Sequence, residues 1–216
     1  VLLAAGRSRR FGFRNKLLML LRGRPLLWHA LAAACASRAR PLIVVTGHQQ
    51  ARVRKSLRDF MRQQRRPPRL RIVFNARYRQ GMSTSLQAGL ATLPADCAGA
   101  VICLGDMPEV TPRLIDALIA AYVPGDSAVL PFAAGGQRGN PVLLGRLLFA
   151  IARELRGDEG ARRLLTKAPG LRQIKAGSAA LRDVDTQREW RAIATTRKAL
   201  RRVSLESWNA NCRCSW

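Results

Sequence analysis

Arg7, Arg9, Arg10 and Lys16 crowd around a turn of small residues, Ala5 and Gly6, that ends the short apolar run Val1 to Ala4. A glycine at such a turn lets bare backbone N–H groups approach an anion, and the cations add positive charge around it. That combination suits a polyphosphate. Much later in the chain, Gly105 and Asp106 close the apolar run that starts at Ala98. A carboxylate at the end of a central strand, with a glycine before it to admit close approach, lies where an open α/β sheet places its ligands. A single acidic side chain there suits Mg²⁺, which takes its other ligands from water and phosphates. The plainer alternative is an aspartate capping the helix that begins near Pro112. Asp183 and Asp185, in Leu181 to Thr186, read as the end of a strand, where their two-residue spacing puts both side chains on one face.

Two familiar phosphate motifs are excluded. From Gly6 to Lys16 is too long for a Walker loop, and no Gly-Lys-Ser/Thr follows. The dinucleotide fingerprint needs three closely spaced glycines opening a helix, which are absent. Gly81 followed by Met82, Ser83, Thr84 and Ser85 predicts a helix start whose hydroxyls cap it and whose amides face the site; a plain Ser/Thr cap explains the same residues. Gly135, Gly136 and Gly139, leading into Asn140 and Pro141, read as a loop able to close over a second substrate, or as an ordinary long hairpin.

The elements that must hold these groups alternate. Val1 to Ala4, Leu42 to Thr46, Leu70 to Asn75, Ala98 to Met107 and Ser127 to Phe132 read as strands. Pro25 to Ser37, Gln49 to Arg62, Thr111 to Tyr122 and Arg146 to Leu155 read as helices, with others beginning near Gly157 and Gln187. Strand and helix in alternation argue for right-handed crossovers and an open, mostly parallel sheet. His29, inside the first helix, has no local partner histidine or carboxylate and reads as a satisfied structural residue.

At 216 residues and 48% hydrophobic content, one domain with a substantial core is the default. It is assigned to residues 1–200, with a basic, irregular tail over 201–216. The formal net charge of +25 favours anionic substrates. The arginines are scattered and no recognition helix, zinc finger or aromatic RNA-binding motif accompanies them, so no specific nucleic-acid partner is expected. No run is long and apolar enough to span a membrane, and the chain opens on a strand rather than a leader; a soluble cytoplasmic protein is expected. Five cysteines with no C-x-x-C pair indicate neither a disulfide framework nor structural zinc. Cys35 and Cys103 read as buried packing residues, and Cys212 and Cys214 as part of the tail.

Five motifs in order carry a resemblance: Leu3 to Gly12 with Asn15 to Leu18, Gly81 to Leu86, Gly105 to Pro108, Gly139 to Leu143 with Gly157 to Arg162, and Asp183 to Thr186. Together they resemble the MobA-like NTP transferases of molybdenum cofactor biosynthesis, over Val1 to Glu189. The resemblance implies a three-layer α/β/α sandwich with a mostly parallel, Rossmann-like sheet, the nucleotide-diphospho-sugar transferase fold. It implies that Leu3, Ala4, Ala5, Gly6, Arg7, Ser8, Lys16, Ser83 and Ser85 bind the nucleotide, and that Lys16, Arg10 and Asp106 are catalytic. Asp106 and Asp185 would hold Mg²⁺, and Gly139, Asn140, Pro141 and Asp158 would meet the acceptor.

The loop Leu3-Ala4-Ala5-Gly6 is similar to the cytidylyl branch, whereas the guanylyl branch has a second glycine in place of Ala5. The Ala5 methyl would crowd a purine, so CTP is expected as donor and a molybdopterin-type phosphate as acceptor. A molybdoenzyme or its chaperone would be the protein partner. GTP or a sugar phosphate as substrate, and a non-catalytic cofactor chaperone, are the competing expectations.

Overall fold

The computed structural model describes residues 1–195 apart from 13, 134–135, 166–169, 178–179 and 181. The expected tail over 201–216, the domain boundary near 200, Gly135 and Leu181 lie outside the described residues.

The elements run β1 (Leu2–Ala4), β2 (Leu20–Leu21), β3 (Arg24–Pro25), α1 (Leu26–Ala36), β4 (Leu42–Thr46), α2 (Gln50–Arg62), β5 (Leu70–Phe74) and α3 (Met82–Leu90). They continue with β6 (Gly99–Leu104), α4 (Pro112–Ala121), β7 (Ala128–Phe132), β8 (Val142–Gly145), α5 (Leu147–Ile151), α6 (Ala161–Leu165), β9 (Leu171–Lys175) and α7 (Gln187–Thr195). The main sheet has the order β5-β4-β1-β6-β8-β7-β9, and β2 and β3 form a separate small hairpin. Parallel pairing joins β5, β4, β1 and β6 in succession, and also β7 with β9. Within the main sheet, among the described residues, only β8, between β6 and β7, runs against its neighbours.

Strand alternation sends each face to its own helical layer. Leu2, Val44, Val101, Cys103 and Val129 pack with Leu27, Leu31, Val53, Phe60 and Ile115 of α1, α2 and α4. Ala100, Ile102, Val142, Leu144 and Leu130 pack with Leu86, Leu148, Phe149 and Leu164 of α3, α5 and α6. The result is the three-layer α/β/α sandwich expected. Fully burying each large apolar side chain contributes about 1.5–3 kcal/mol, so both layers are firmly seated on the sheet. Cys35 and Cys103 are buried as expected, and burial pushes the Cys103 thiol up to about 11, which keeps it inert. His29 is satisfied too, its Nε2 lying 3.0 Å from the Leu21 carbonyl oxygen and tying the β2–β3 hairpin to α1. No helix among the described residues is long and apolar enough to cross a membrane.

Besides β2, β3 and β8, which were not read as strands, the structure departs from the sequence reading in three places. β9 was not foreseen: its apolar residues Leu171 and Ile174 are three apart, which matches neither the alternation of a half-buried strand nor the continuous apolar run of a buried one, and the strand lies at the sheet edge. The stretch 182–185 is irregular rather than the end of a strand. Val184 is fully buried against Phe11, Leu21, Leu26 and Ile193, and its N–H donates to the Asp106 carbonyl at 3.1 Å. Thr186 and Glu189 then form a reciprocal capping box that turns the chain into α7. The third departure, at the start of α3, belongs to the site.

Candidate active site

β1 is the point where the chain's strand order divides, with β4 on one side and β6 on the other, and ligands collect outside the strand ends at such a point. A cleft of about 440 Å³ opens there. Gly105 brings its two halves together: its N–H donates to the Leu3 carbonyl at 3.0 Å, and an added Cβ would lie 3.0 Å from Leu27 and 3.3 Å from Leu17. A larger residue would push Asp106 away from the segment carrying Lys16. The helix-cap alternative for Asp106 is excluded, because Thr111 Oγ1 caps α4 by accepting from Leu114 N.

Lys16 opens a short 3₁₀ turn, Lys16–Leu18, fixed from both sides. The buried Asn15 side chain accepts from Leu17 N at 3.1 Å, and Ser8 Oγ accepts from Lys16 N at 3.1 Å. Ser8 therefore positions the lysine from within the arginine turn. The Lys16 ammonium lies 2.6 Å from Asp106 Oδ2 and 2.8 Å from Asp185 Oδ1, and donates to the Val184 carbonyl at 2.9 Å. Burial works against its charge, but the charges and hydrogen bonds of Asp106 and Asp185 outweigh burial and raise its pKa above the usual lysine value. Arg10 reaches the other Asp185 oxygen at 3.3 Å from a far more exposed position. The capping box completes the arrangement, since Glu189 Oε2 also accepts from Asp185 N at 2.8 Å.

Opposite the arginine turn, α3 begins without the expected hydroxyl cap. Gly81 holds the cap position at φ 111° and has no side chain to cap the helix, and none of the nearby hydroxyls does so. The first amides are taken by a distant turn instead: Met82 N donates to Asp158 Oδ1 at 3.3 Å and Ser83 N to the Gly157 carbonyl at 3.1 Å. A Cβ on Gly81 would collide with the Gly157 carbonyl, so the two backbones touch. Ser85 lines the cleft, its hydroxyl accepting from Asn75 Nδ2 at 3.0 Å, whereas Ser83 faces a separate groove behind α3.

Of the residues proposed from sequence for the nucleotide, Leu3, Ala5, Gly6, Arg7, Ser8, Lys16 and Ser85 line the cleft, as do Arg10, Asp106 and Asp185. Ala4 does not; it is buried in the core. Asp158 lies in this same cleft, while Gly139 and Asn140 line a neighbouring one of about 500 Å³ with Met107 and Asp183. Pro141 is buried and lines neither. Burial, with the charges of Asp185 and Asp106, raises the Asp183 pKa.

Sequence reasoning missed Tyr78, which lines the cleft with Arg79 and packs against Ala5, and the buried Asn75. Asn75 receives the Arg77 N–H at 2.9 Å and donates to Thr84 and Ser85, bracing the turn before α3. An asparagine just past a strand is the signal that could have found it.

The acidic pair suits a divalent cation. Asp106 Oδ1 is buried without a hydrogen-bond partner, an oxygen left for a ligand of another kind. No group of three or more His, Cys, Asp or Glu forms a metal site among the described residues, so an ion here would take further ligands from water or phosphate.

Comparison with known proteins gives a consistent picture. A family model described as the MobA-like NTP transferase domain matches residues 1–174. The purine catabolism protein PucB of Bacillus subtilis is 34% identical over 203 residues, covering 88% of this chain and 92% of that protein. A homologue of Mycobacterium tuberculosis Rv0371c from Mycobacterium sp. strain JC1 superposes with a TM-score of 0.75 at 30% identity, covering 90% of this chain and 93% of that one. Rv0371c itself, in complex with manganese, has a TM-score of 0.71 at 26% identity, covering 89% and 95%.

Proposed function

The chain belongs to the MobA-like NTP transferase family of nucleotidyltransferases, and from that premise we propose that it transfers CMP from CTP to the terminal phosphate of a molybdopterin-type acceptor, releasing pyrophosphate. The observation that supports it is the convergence of Lys16, Asp106 and Asp185 in the cleft that the Ala5–Gly6 turn also lines.

A phosphate nucleophile is already anionic near neutral pH, so no side chain needs to attack for it. The residues have to position the two substrates in line and neutralise charge. The turn amides around Ala5 and Gly6 meet the nucleotide, while Arg7, Arg10 and Lys16 face the triphosphate. Asp106 and Asp185 would hold Mg²⁺, for which the unpartnered Asp106 oxygen and the manganese complex of Rv0371c give support. When bound, the ion supplies charge neutralisation at the phosphates. Asn140 and Gly139 then line the acceptor side, next to Asp183. The methyl of Ala5, packed among Ile43 and Val45 at the cleft wall, is the group assigned to disfavour a purine.

The test is pyrophosphate release on mixing the protein and Mg²⁺ with molybdopterin cofactor and CTP, GTP, ATP or UTP in turn, and with sugar phosphates in place of the cofactor. Turnover with CTP and molybdopterin is expected; turnover only with another pair would replace this assignment.

A further inference from the structure

Behind α3, on the side away from the nucleotide cleft, lies a second groove of about 790 Å³, within the size range of small-molecule sites. Arg77, Arg146, Arg153 and Arg156 all line it, and none of its lining residues is acidic. Two of these guanidinium groups are held in place. Arg156 donates to the carbonyls of Arg153 and Leu155, and Arg146 lies over the Phe149 ring at 5.1 Å. Leu90, Phe149 and Leu155 supply apolar surface, and Gln87 is spent on three backbone carbonyls. Like charges gathered in one concavity repel, and a bound anion relieves that cost.

We propose that this groove binds a small molecule bearing two or more phosphates, separately from the nucleotide cleft. Several arginine forks set around an open concavity match phosphate oxygens better than a single carboxylate, and the apolar surface accepts the body of the ligand. The groove shares a wall with the nucleotide cleft. Gly157 lines the groove and receives the Ser83 N–H, while its neighbour Asp158 lines the cleft and receives the Met82 N–H. A ligand drawing on Arg156 therefore acts one residue from that wall.

Calorimetric titration with inorganic tripolyphosphate in 150 mM salt (roughly the ionic strength at which exposed charges are screened) tests this. The intact protein is expected to bind in two places. Arg146→Gln with Arg153→Gln should weaken one of them by about 10²-fold, from two lost charge-assisted contacts, and Lys16→Gln should weaken only the other. An unchanged isotherm in the groove variant overturns the proposal. So does equal weakening by Arg54→Gln with Arg58→Gln on the exposed face of α2, which would mark a general charge effect. Tighter binding of polyglutamate than of tripolyphosphate, lost in the groove variant, would overturn it in favour of an acidic protein segment.

Discussion

Lys16 and Asp106, 90 residues apart in sequence, meet at 2.6 Å with side chains only 11% and 19% exposed. Gly105 allows the approach, and Ser8 and Asn15 aim the lysine. The pair joins the arginine turn to the acidic side of the cleft.

Removing either partner should cost activity and stability together. Lys16→Met is expected to lower turnover by about 10² to 10³, the effect of losing one preorganised charge contact, and Asp106→Asn by at least as much. Lys16→Met leaves the largely buried Asp106 without its cation and should cost about 1–3 kcal/mol, Asp106→Asn should cost less because Lys16 keeps Asp185 at 2.8 Å, and the double variant should recover part of the loss. Chemical denaturation of the four proteins measures it; strictly additive losses would show that the contact is not stabilising.

Gly81 is predicted to tolerate no side chain. Its φ of 111° and the Gly157 carbonyl beside it both exclude a Cβ. Gly81→Ala should lose about 2–4 kcal/mol, lowering the midpoint of thermal unfolding by roughly 5–15 °C. Gly6→Ala makes the comparison, since a Cβ there meets nothing within 4 Å; it should unfold near the wild-type temperature.

Ala5→Gly should relax nucleotide choice. One methyl in a pocket is worth about 10- to 200-fold in discrimination, so the ratio of kcat/KM for GTP over that for CTP is expected to rise by about tenfold or more. A ratio unchanged within twofold would assign the choice elsewhere, with Tyr78 and Arg79 as the neighbouring wall.

His29 sets a pH dependence of stability. Burial lowers its pKa from 6.5, helped by the charges of Arg22 and Arg24 and opposed by the Leu21 carbonyl. The unfolded chain then binds a proton below pH 6.5 that the folded protein resists, so stability falls as pH drops through 6.5 and levels off once the lowered folded value is passed. Denaturation series between about pH 7.5 and 5, comparing wild type with His29→Gln, should show a shallower slope in the variant across that window.

The parallel half of the sheet, β1, β4, β5 and β6, and its helices were legible in the sequence because buried parallel strands read as continuous β-branched runs, such as Leu42–Thr46, and amphipathic helices such as Gln50–Arg62 carry their period openly. The arginine turn and Asp106 were also legible, since glycines beside charged residues at strand ends are a local signal, whereas Asp185 was read at a strand end that the structure shows to be irregular. What only the tertiary structure decided was partnership. Lys16 bridging two aspartates, Ser8 serving the lysine, and a turn at Gly157 and Asp158 capping α3 in place of Ser83 all depend on segments brought together by the sheet. A polar atom's partner is chosen by three-dimensional proximity, and the chain's one-dimensional pattern records only which face of an element each residue occupies.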